Sequence, residues 1–219
     1  MNRKSITQEY FILVTNEQGN FPTMRKDETK SGIVVAGFMD LLSNDIITVE
    51  KKKITVIKEL PYDLFHLTSL YTYLKEKTRS TDKLMSDYIA STSSRIKQLI
   101  TELGESLFKD NIVTKGEGGL FGNKIVYIPE KNYKDNLIHA IKSAIAKEKE
   151  ITPHDMTLIY ILKETKNLYQ YFSQYESEEL KATLKELKKN PQNKQLKDMI
   201  NYVSDITVIA MTCLFTSSN

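Results

Sequence analysis

The residues of this sequence with the most suggestive types and spacing form a short loop that combines glycines with an apolar pair. Four of the eight glycines fall between Gly116 and Gly122, and Leu120 and Phe121 lie among them. Glycine permits a positive φ and adds no side-chain bulk, so this segment is expected to turn sharply. An apolar pair on such a turn has little chain nearby to bury it. It either folds back onto the protein or contacts a membrane or a second subunit.

Familiar catalytic and metal-binding patterns are absent from the sequence. His66, His139 and His154 lie far apart, without partners at the spacing of a zinc site. The chain has no G-x-S-x-G elbow and no G-x-x-x-x-G-K-[ST] loop. The glycines at 116–122 have no helix after them that could bind a dinucleotide. The sequence therefore predicts that the protein is not an enzyme and has no catalytic residue, metal or cofactor.

Composition limits the possible partners and location. The 219 residues are 40% apolar, and 31 basic against 28 acidic residues give a net charge of only +3. Binding of an anion must therefore depend on local clusters of charge. The single cysteine, Cys213, fits a reducing compartment. No signal peptide is predicted, and the most apolar run, Ile206–Phe215, is too short to span a bilayer. We expect a cytoplasmic protein whose membrane association is peripheral.

The glycine loop forms the tip of a predicted hairpin, and a predicted helix precedes that hairpin. Ser93–Phe108 repeats apolar residues at intervals of three and four, which is typical of a helix with one buried face. The β-branched runs Ile112–Thr114 and Ile125–Ile128 on either side of the loop predict a hairpin with a long tip. A second hairpin is predicted from Ile46–Val49 and Ile54–Ile57.

Further helices are predicted from apolar periodicity and capping signals, and Phe21–Met24 is expected to be extended. The predicted helices are Gln8–Val14, Gly32–Leu42, Tyr62–Lys75, Lys83–Ile89, Asn132–Lys147, His154–Lys166, Leu180–Lys188 and Lys194–Leu214. Gly37 inside the second of these suggests close packing against another helix. We predict a mainly α protein, a single globular helical domain over residues 1–219 with two β-hairpins, one of which projects.

The order and spacing of five segments resemble the Golgi phosphoprotein 3 family over nearly the whole chain, from about Ile6 to Leu214. The segments that carry this resemblance are Ser5–Leu13, Ser31–Leu42, Ser80–Asp87, Leu107–Thr114 and Leu158–Ile161. The family consists of peripheral membrane proteins, and its eukaryotic members bind phosphatidylinositol 4-phosphate. The resemblance implies a helical domain with a membrane-facing side and a projecting hairpin that contacts membranes or other subunits.

The resemblance also identifies candidate site residues. The eukaryotic lipid pocket uses a tryptophan and three arginines, and the matching positions here hold Arg25, Val34, Lys97 and Ile100. The chain has no tryptophan, and two of these side chains cannot donate to a phosphate. We therefore predict that Arg25, Lys26 and Lys97 bind an anionic phospholipid headgroup, by resemblance a phosphatidylinositol phosphate. Leu120 and Phe121 are predicted to enter the membrane or an oligomer contact.

Two other functions are compatible with the same residues. A helix followed by a two-stranded wing imitates a winged-helix nucleic-acid binder, in which Arg95, Lys97, Lys115 and Lys124 would meet phosphates. Acidic residues on that helix and the small net charge make nucleic acid an unfavoured partner. Alternatively, the protein is an interaction scaffold without a lipid ligand, and the 115–124 hairpin builds a homo-oligomer.

Overall fold

Helices make up most of the structure, which confirms the predicted mainly α fold. The structure is a computed structural model, and it describes residues 3–90, 93–119, 122–146, 151–189 and 194–217. The helices in these ranges are α1 (Ile6–Val14), α2 (Lys26–Ser43), α3 (Thr68–Lys75), α4 (Thr81–Ile89), α5 (Ser94–Lys109), α6 (Lys131–Ile145), α7 (Pro153–Glu164), α8 (Gln174–Lys189) and α9 (Lys194–Ser217). Three short 3₁₀ helices cover Thr23–Arg25, Tyr62–Leu67 and Tyr169–Tyr171.

The central helix is α2, which contacts α1, α4, α7 and α9. Its residues from Gly32 to Leu41 are all buried, as expected for a helix that is apolar nearly all round. The predicted close packing at Gly37 is confirmed, because a Cβ there would lie 2.9 Å from a methyl of Leu70. The helix begins earlier than predicted, at Lys26, and Asp27 and Glu28 in its first turn suit the positive end of a helix.

Both predicted hairpins are present as antiparallel pairs. The first consists of β1 (Ile47–Glu50) and β2 (Lys53–Val56), and a two-residue strand, β3 (Arg79–Ser80), pairs with β2. The sequence did not predict β3, since two residues are too short to show alternation. The second hairpin consists of β4 (Val113–Gly118) and β5 (Lys124–Pro129). Leu120 and Phe121 at its tip lie outside the described residues.

Two local predictions were wrong. Phe21–Met24 was expected to be extended, but Thr23–Arg25 forms a 3₁₀ helix after Pro22. Proline has a fixed φ near the helical value, so it favours a helical turn directly after it as readily as an extended edge. The predicted helix Tyr62–Lys75 is divided, with 3₁₀ geometry up to Leu67 and an α-helix from Thr68.

The predicted stripe on α5 is confirmed. Ser93 caps the helix by accepting a hydrogen bond from the backbone N–H of Arg95. The apolar residues Ile96, Leu99, Leu103 and Leu107 are buried along one face. Most buried apolar side chains of the described residues form one cluster. That a single domain extends over residues 1–219 stays a prediction.

Candidate functional site

A cleft of about 460 Å³ lies between the start of α2, the start of α5 and strand β5. Four lysines line it, and we call it the lysine cleft: Lys26, Lys30, Lys97 and Lys124. They come from three separate elements, α2, α5 and β5, so only the folded chain brings them together. None of the described residues that line the cleft is acidic.

Most of these lysines have no opposing charge. Lys26, Lys97 and Lys124 are exposed, and no ion pair is formed by them in the described part of the chain. Lys30 is the exception, since its Nζ lies 2.8 Å from a carboxylate oxygen of Asp27. Uncompensated like charges gathered in one concave surface create a positive potential that attracts anions.

Two helix starts add to that potential. Lys26 is the first residue of α2, whose N-terminus has no side-chain cap, and Ser93 at the cleft precedes the first residue of α5. The first N–H groups of a helix have no partner within the helix, and they give its N-terminus a partial positive charge. The cleft therefore combines ammonium groups with the start of α5, while the start of α2 contributes less because Asp27 and Glu28 lie in its first turn. This arrangement suits a phosphate.

The remaining walls of the cleft are largely apolar. Phe21 packs edge-to-face against Phe11, with ring centroids 5.9 Å apart. Ile96 and Ile100 come from α5, and Ile125 comes from β5. A ligand with a charged phosphate and a less polar ring or stem can therefore find both kinds of contact here.

The hairpin is fixed to α5 by three side chains, which we call the hairpin latch: Tyr127, Glu105 and Lys115. The Tyr127 hydroxyl donates to Glu105 at 2.8 Å, and Lys115 Nζ lies 2.8 Å from the same carboxylate. The hydrogen bond from Lys115, together with the one from Tyr127, lowers the pKa of the Glu105 carboxyl. The latch holds β5 against the second half of α5, and Lys124 on the same strand lines the cleft.

The structure brings together some of the predicted site residues and not others. Lys26 and Lys97 share the lysine cleft. Arg25 is not among its lining residues, because its guanidinium donates to the backbone carbonyl of Lys166. Val34 is fully buried in α2, whereas Ile100 forms part of the apolar wall. Leu120 and Phe121 lie outside the described residues, so their proposed contacts stay a prediction.

Sequence reasoning missed two of the cleft lysines. Lys30 follows Lys26 by four residues, a spacing that places both on one face of a helix. That signal was hidden because α2 was predicted to start only at Gly32. Lys124 was considered solely as a wing residue for nucleic acid, because nothing local shows that β5 returns to the start of α5.

A second, larger cavity of about 820 Å³ adjoins the other half of α5, and we call it the mixed cavity. Its walls carry both signs of charge, including Arg3, Lys4, Asp63, Glu102, Lys109 and Asp110. Several of these charges are paired. Lys4 Nζ lies 2.7 Å from Asp110, and Arg3 Nε lies 2.6 Å from Glu9, which also receives a 2.8 Å contact from His154.

Buried ionisable groups around this cavity fix the start of α1. Asp40 accepts hydrogen bonds from the backbone N–H of Ile6 at 2.9 Å and of Thr7 at 2.8 Å, and also from the Thr7 hydroxyl. Burial raises the pKa of Asp40, although these bonds oppose the shift. Burial also acts against ionisation of Glu9, but hydrogen bonds from His154 and Arg3 outweigh it and lower the pKa of that carboxyl.

Ser5 and His66 in the mixed cavity have the residue types of a nucleophile and its base. Ser5 Oγ lies 2.9 Å from His66 Nε2, and burial lowers the pKa of His66 to about 4. Ser5 Oγ also accepts a bond from the backbone N–H of Gln8 as the cap of α1. The first two N–H groups of α1, those of Ile6 and Thr7, bind Asp40, so they are not free to stabilise an oxyanion. The arrangement stabilises a helix start.

Within the described ranges, every helix is too short or too polar to cross a membrane.

Comparison of the sequence with known proteins and protein families identifies one family. Comparison with curated proteins gives no match. The family model described as Golgi phosphoprotein 3 (GPP34) matches residues 6–203. That range includes the four lysines of the lysine cleft and the whole of the hairpin formed by β4 and β5. The chain therefore belongs to the Golgi phosphoprotein 3 (GPP34) family.

Proposed function

We propose that this protein is a peripheral membrane protein that binds anionic phospholipid headgroups in the lysine cleft. The observation that carries the proposal is the set of four lysines around one cleft whose described lining contains no carboxylate. Membership of the Golgi phosphoprotein 3 family supports it. By resemblance to the family, the headgroup is that of a phosphatidylinositol phosphate.

The type of cation favours charge recognition over a rigid fit. Lysine presents a compact ammonium on a flexible stem, whereas arginine offers a planar fork that binds phosphate with two hydrogen bonds. The Arg25 guanidinium donates a hydrogen bond to the backbone carbonyl of Lys166 and does not line the cleft. The cations that line the cleft are therefore all lysine ammonium groups. We therefore propose that the cleft accepts several phosphate-bearing headgroups, with a preference that follows their negative charge.

The expected strength of binding depends on two contributions. Each lysine near an anionic surface contributes about 1 kcal/mol, so four contribute about 4 kcal/mol, which alone corresponds to a millimolar Kd. Burial of the Leu120 and Phe121 side chains in the membrane would add about 2 kcal/mol each. Together these amount to about 8 kcal/mol, which corresponds to micromolar affinity.

Vesicle flotation with two matched charge reversals on α5 tests the proposal. Lys97→Glu places a negative charge in the lysine cleft, whereas Lys109→Glu makes the same change beside the mixed cavity. Lys97→Glu lowers the charge of the cleft by two units, so it should weaken binding to phosphatidylinositol phosphate vesicles by about 30-fold. The Lys109 variant should bind within about threefold of the wild type, because its site lies away from the cleft.

Three outcomes of that experiment are informative. A larger loss in the double variant Lys26→Glu with Lys97→Glu would support the cleft as the site. Equal losses in the Lys97 and Lys109 variants would show that only net charge matters and would contradict the cleft. If wild-type protein did not float with anionic vesicles at all, the proposed function would be wrong.

The hairpin tip requires a separate test. Leu120→Asp with Phe121→Asp should abolish most vesicle binding if the tip enters the bilayer, since charged groups are expensive to bury in hydrocarbon. Unchanged binding would remove the tip from the membrane contact. Sedimentation of the same variant would then show whether these residues instead join subunits, as the scaffold hypothesis proposes.

Nucleic-acid binding is the weaker alternative because two of its four cations are engaged elsewhere. Lys115 pairs with Glu105 in the hairpin latch. The Arg95 guanidinium lies 4.7 Å from the centre of the Tyr73 ring, a distance at which cation and ring attract each other. Retardation of duplex DNA at low salt, sensitive to Lys124→Glu, would revive this alternative.

A further inference from the structure

Two exposed apolar side chains accompany the lysine cleft. Met24 is 94% exposed on the 3₁₀ helix Thr23–Arg25, and Thr23 just before it and Lys26 two residues after it line the cleft. Ile125 is 59% exposed on β5 and lines the cleft itself. An unbranched thioether almost wholly in water has no packing role, and an outward isoleucine on a strand contributes little to the core.

The combination of these side chains with cations is what points to a partner. Cations beside exposed apolar side chains are typical of surfaces that lie in the interface of an anionic bilayer. Lys26 follows Met24 by two residues, and Lys124 directly precedes Ile125. Neither lysine forms an ion pair in the described part of the chain. The surface therefore complements a negatively charged membrane in both charge and hydrophobicity.

A contrasting surface shows why exposure alone would not be enough. Tyr62 and Phe65 are also exposed, at the edge of the mixed cavity. Their rings contact each other with centroids 5.2 Å apart, and the carboxylates of Asp63 and Glu102 line the same cavity. An anionic bilayer would be repelled from those carboxylates, so this second aromatic surface is the natural control.

We infer that Met24 and Ile125 enter the bilayer beside the lysine cleft, so that the cleft takes its phosphate from a membrane lipid and not from a soluble molecule. This inference rests on the proposed function and adds a second membrane contact to the hairpin tip. With one contact on the 3₁₀ helix Thr23–Arg25 and one on β5, the cleft faces the membrane in one orientation. The acyl chains of the bound lipid then stay in the bilayer while its headgroup reaches the lysines.

The absence of tryptophan from the sequence makes a direct test possible. Met24→Trp and Ile125→Trp each introduce one fluorophore at the cleft, and Tyr62→Trp introduces a matched fluorophore at the mixed cavity. With vesicles of phosphatidylcholine and phosphatidylinositol 4-phosphate, emission of the first two variants should shift to the blue and be quenched by brominated phosphatidylcholine. The Tyr62 variant should show neither change.

A soluble headgroup separates a lipid from a free phosphate. Inositol phosphate without acyl chains should leave the emission maximum of the Met24→Trp variant unchanged, because only a bilayer supplies an apolar environment. If that variant floated with vesicles and showed neither a shift nor quenching, the inference would be wrong while the proposed function stood. If neither this variant nor the wild type floated, both would be wrong.

Polar substitutions test the same contact without a reporter. Met24→Ser and Ile125→Ser should each weaken vesicle binding by about 10-fold. Their affinity for soluble inositol phosphate should stay within about twofold of the wild type. Tyr62→Ser should leave vesicle binding unchanged. Equal losses for vesicles and for soluble inositol phosphate would instead show that Met24 or Ile125 contacts the headgroup, which would overturn the inference.

Discussion

The lysine cleft and the mixed cavity lie on two halves of the same helix, and they differ in how their charges are compensated. Ile96, Lys97 and Ile100 near the start of α5 line the cleft, and residues from Thr101 to Lys109 line the cavity. The cavity is the larger, at about 820 Å³ against about 460 Å³. Several of the cavity's charges are paired, however, as in Lys4 with Asp110 and Arg3 with the buried Glu9, whereas most cleft lysines form no ion pair in the described part of the chain.

This difference teaches that unpaired charge identifies a binding surface better than volume does. Paired and buried groups such as Asp40 hold elements of the fold together. Lysines gathered without a counter-charge repel one another, and their presence is explained when a ligand supplies the missing charge. The mixed cavity should therefore control stability, and the lysine cleft should control binding.

The largest expected effect is on the floor of the mixed cavity. Asp40→Ala removes the acceptor of three hydrogen bonds and leaves buried donors without partners. The free energy of unfolding, measured by urea denaturation, should fall by about 3–5 kcal/mol. Asp40→Asn keeps one acceptor oxygen, so it should lose less. A loss below about 1 kcal/mol in the alanine variant would contradict a structural role for this cavity.

The next effect is a dependence of stability on pH that comes from His66. Its pKa is lowered from 6.5 to about 4 in the folded protein, so the unfolded chain binds a proton more readily between these values. The native state therefore loses about 3 kcal/mol as the pH falls through this window, and none of this loss occurs above it. Between pH 6.5 and 4, the free energy of unfolding of the wild type should fall by that amount relative to that of His66→Gln, as measured by urea denaturation at each pH. Parallel curves would exclude His66 as the cause.

A smaller effect is expected at the hairpin latch, which connects the two regions. Tyr127→Phe removes the hydroxyl that donates to Glu105, so the free energy of unfolding should fall by about 1 kcal/mol. Vesicle binding should weaken several-fold, because Lys115 and Glu105 alone then hold the hairpin to α5 within the latch, and Lys124 is positioned less firmly. Tyr62→Phe, which removes an exposed hydroxyl, should change neither quantity. Full vesicle binding by the Tyr127 variant would show that the cleft does not need the latch.

The smallest effect sharpens the contrast between the two sets of charges. Lys97→Gln relieves repulsion in the cleft, so stability should stay within about 0.5 kcal/mol of the wild type or rise slightly. Lys4→Gln breaks the pair with Asp110 and should lower stability by about 0.2–1 kcal/mol. Thermal unfolding followed by circular dichroism would compare them. A clear loss in the Lys97 variant would mean that cleft lysines also stabilise the fold.

Local signals in the sequence were sufficient for most helices and both hairpins. The apolar stripe of α5 and the caps Ser5 and Thr152 act over a few residues, so they can be read without knowing the fold. The predicted start of α2 was too late because the first turn of this helix is charged and exposed, so it shows no apolar periodicity. The strand β3 depends on β2 for its definition.

The cleft could be predicted only in part. Lys97 was identified through the family resemblance and Lys26 as the cation beside Arg25, but no sequence pattern shows that β5 brings Lys124 to them. Arg25 was expected to bind phosphate, and its contact with the carbonyl of Lys166 depends on how the end of α7 meets the start of α2. Such assignments require tertiary structure, because charge in the sequence does not reveal which partner a side chain meets.

The position of β5 has one more consequence. The same strand carries Lys124 at the cleft and leads to the hairpin tip. A partner that binds the tip would therefore act on the strand that positions Lys124. If two copies associate through this hairpin, thermodynamic reciprocity requires that lipid and self-association alter each other's equilibrium constants by the same factor. A lipid that strengthened self-association would then be bound more tightly, by the same factor, by the associated protein than by the single copy.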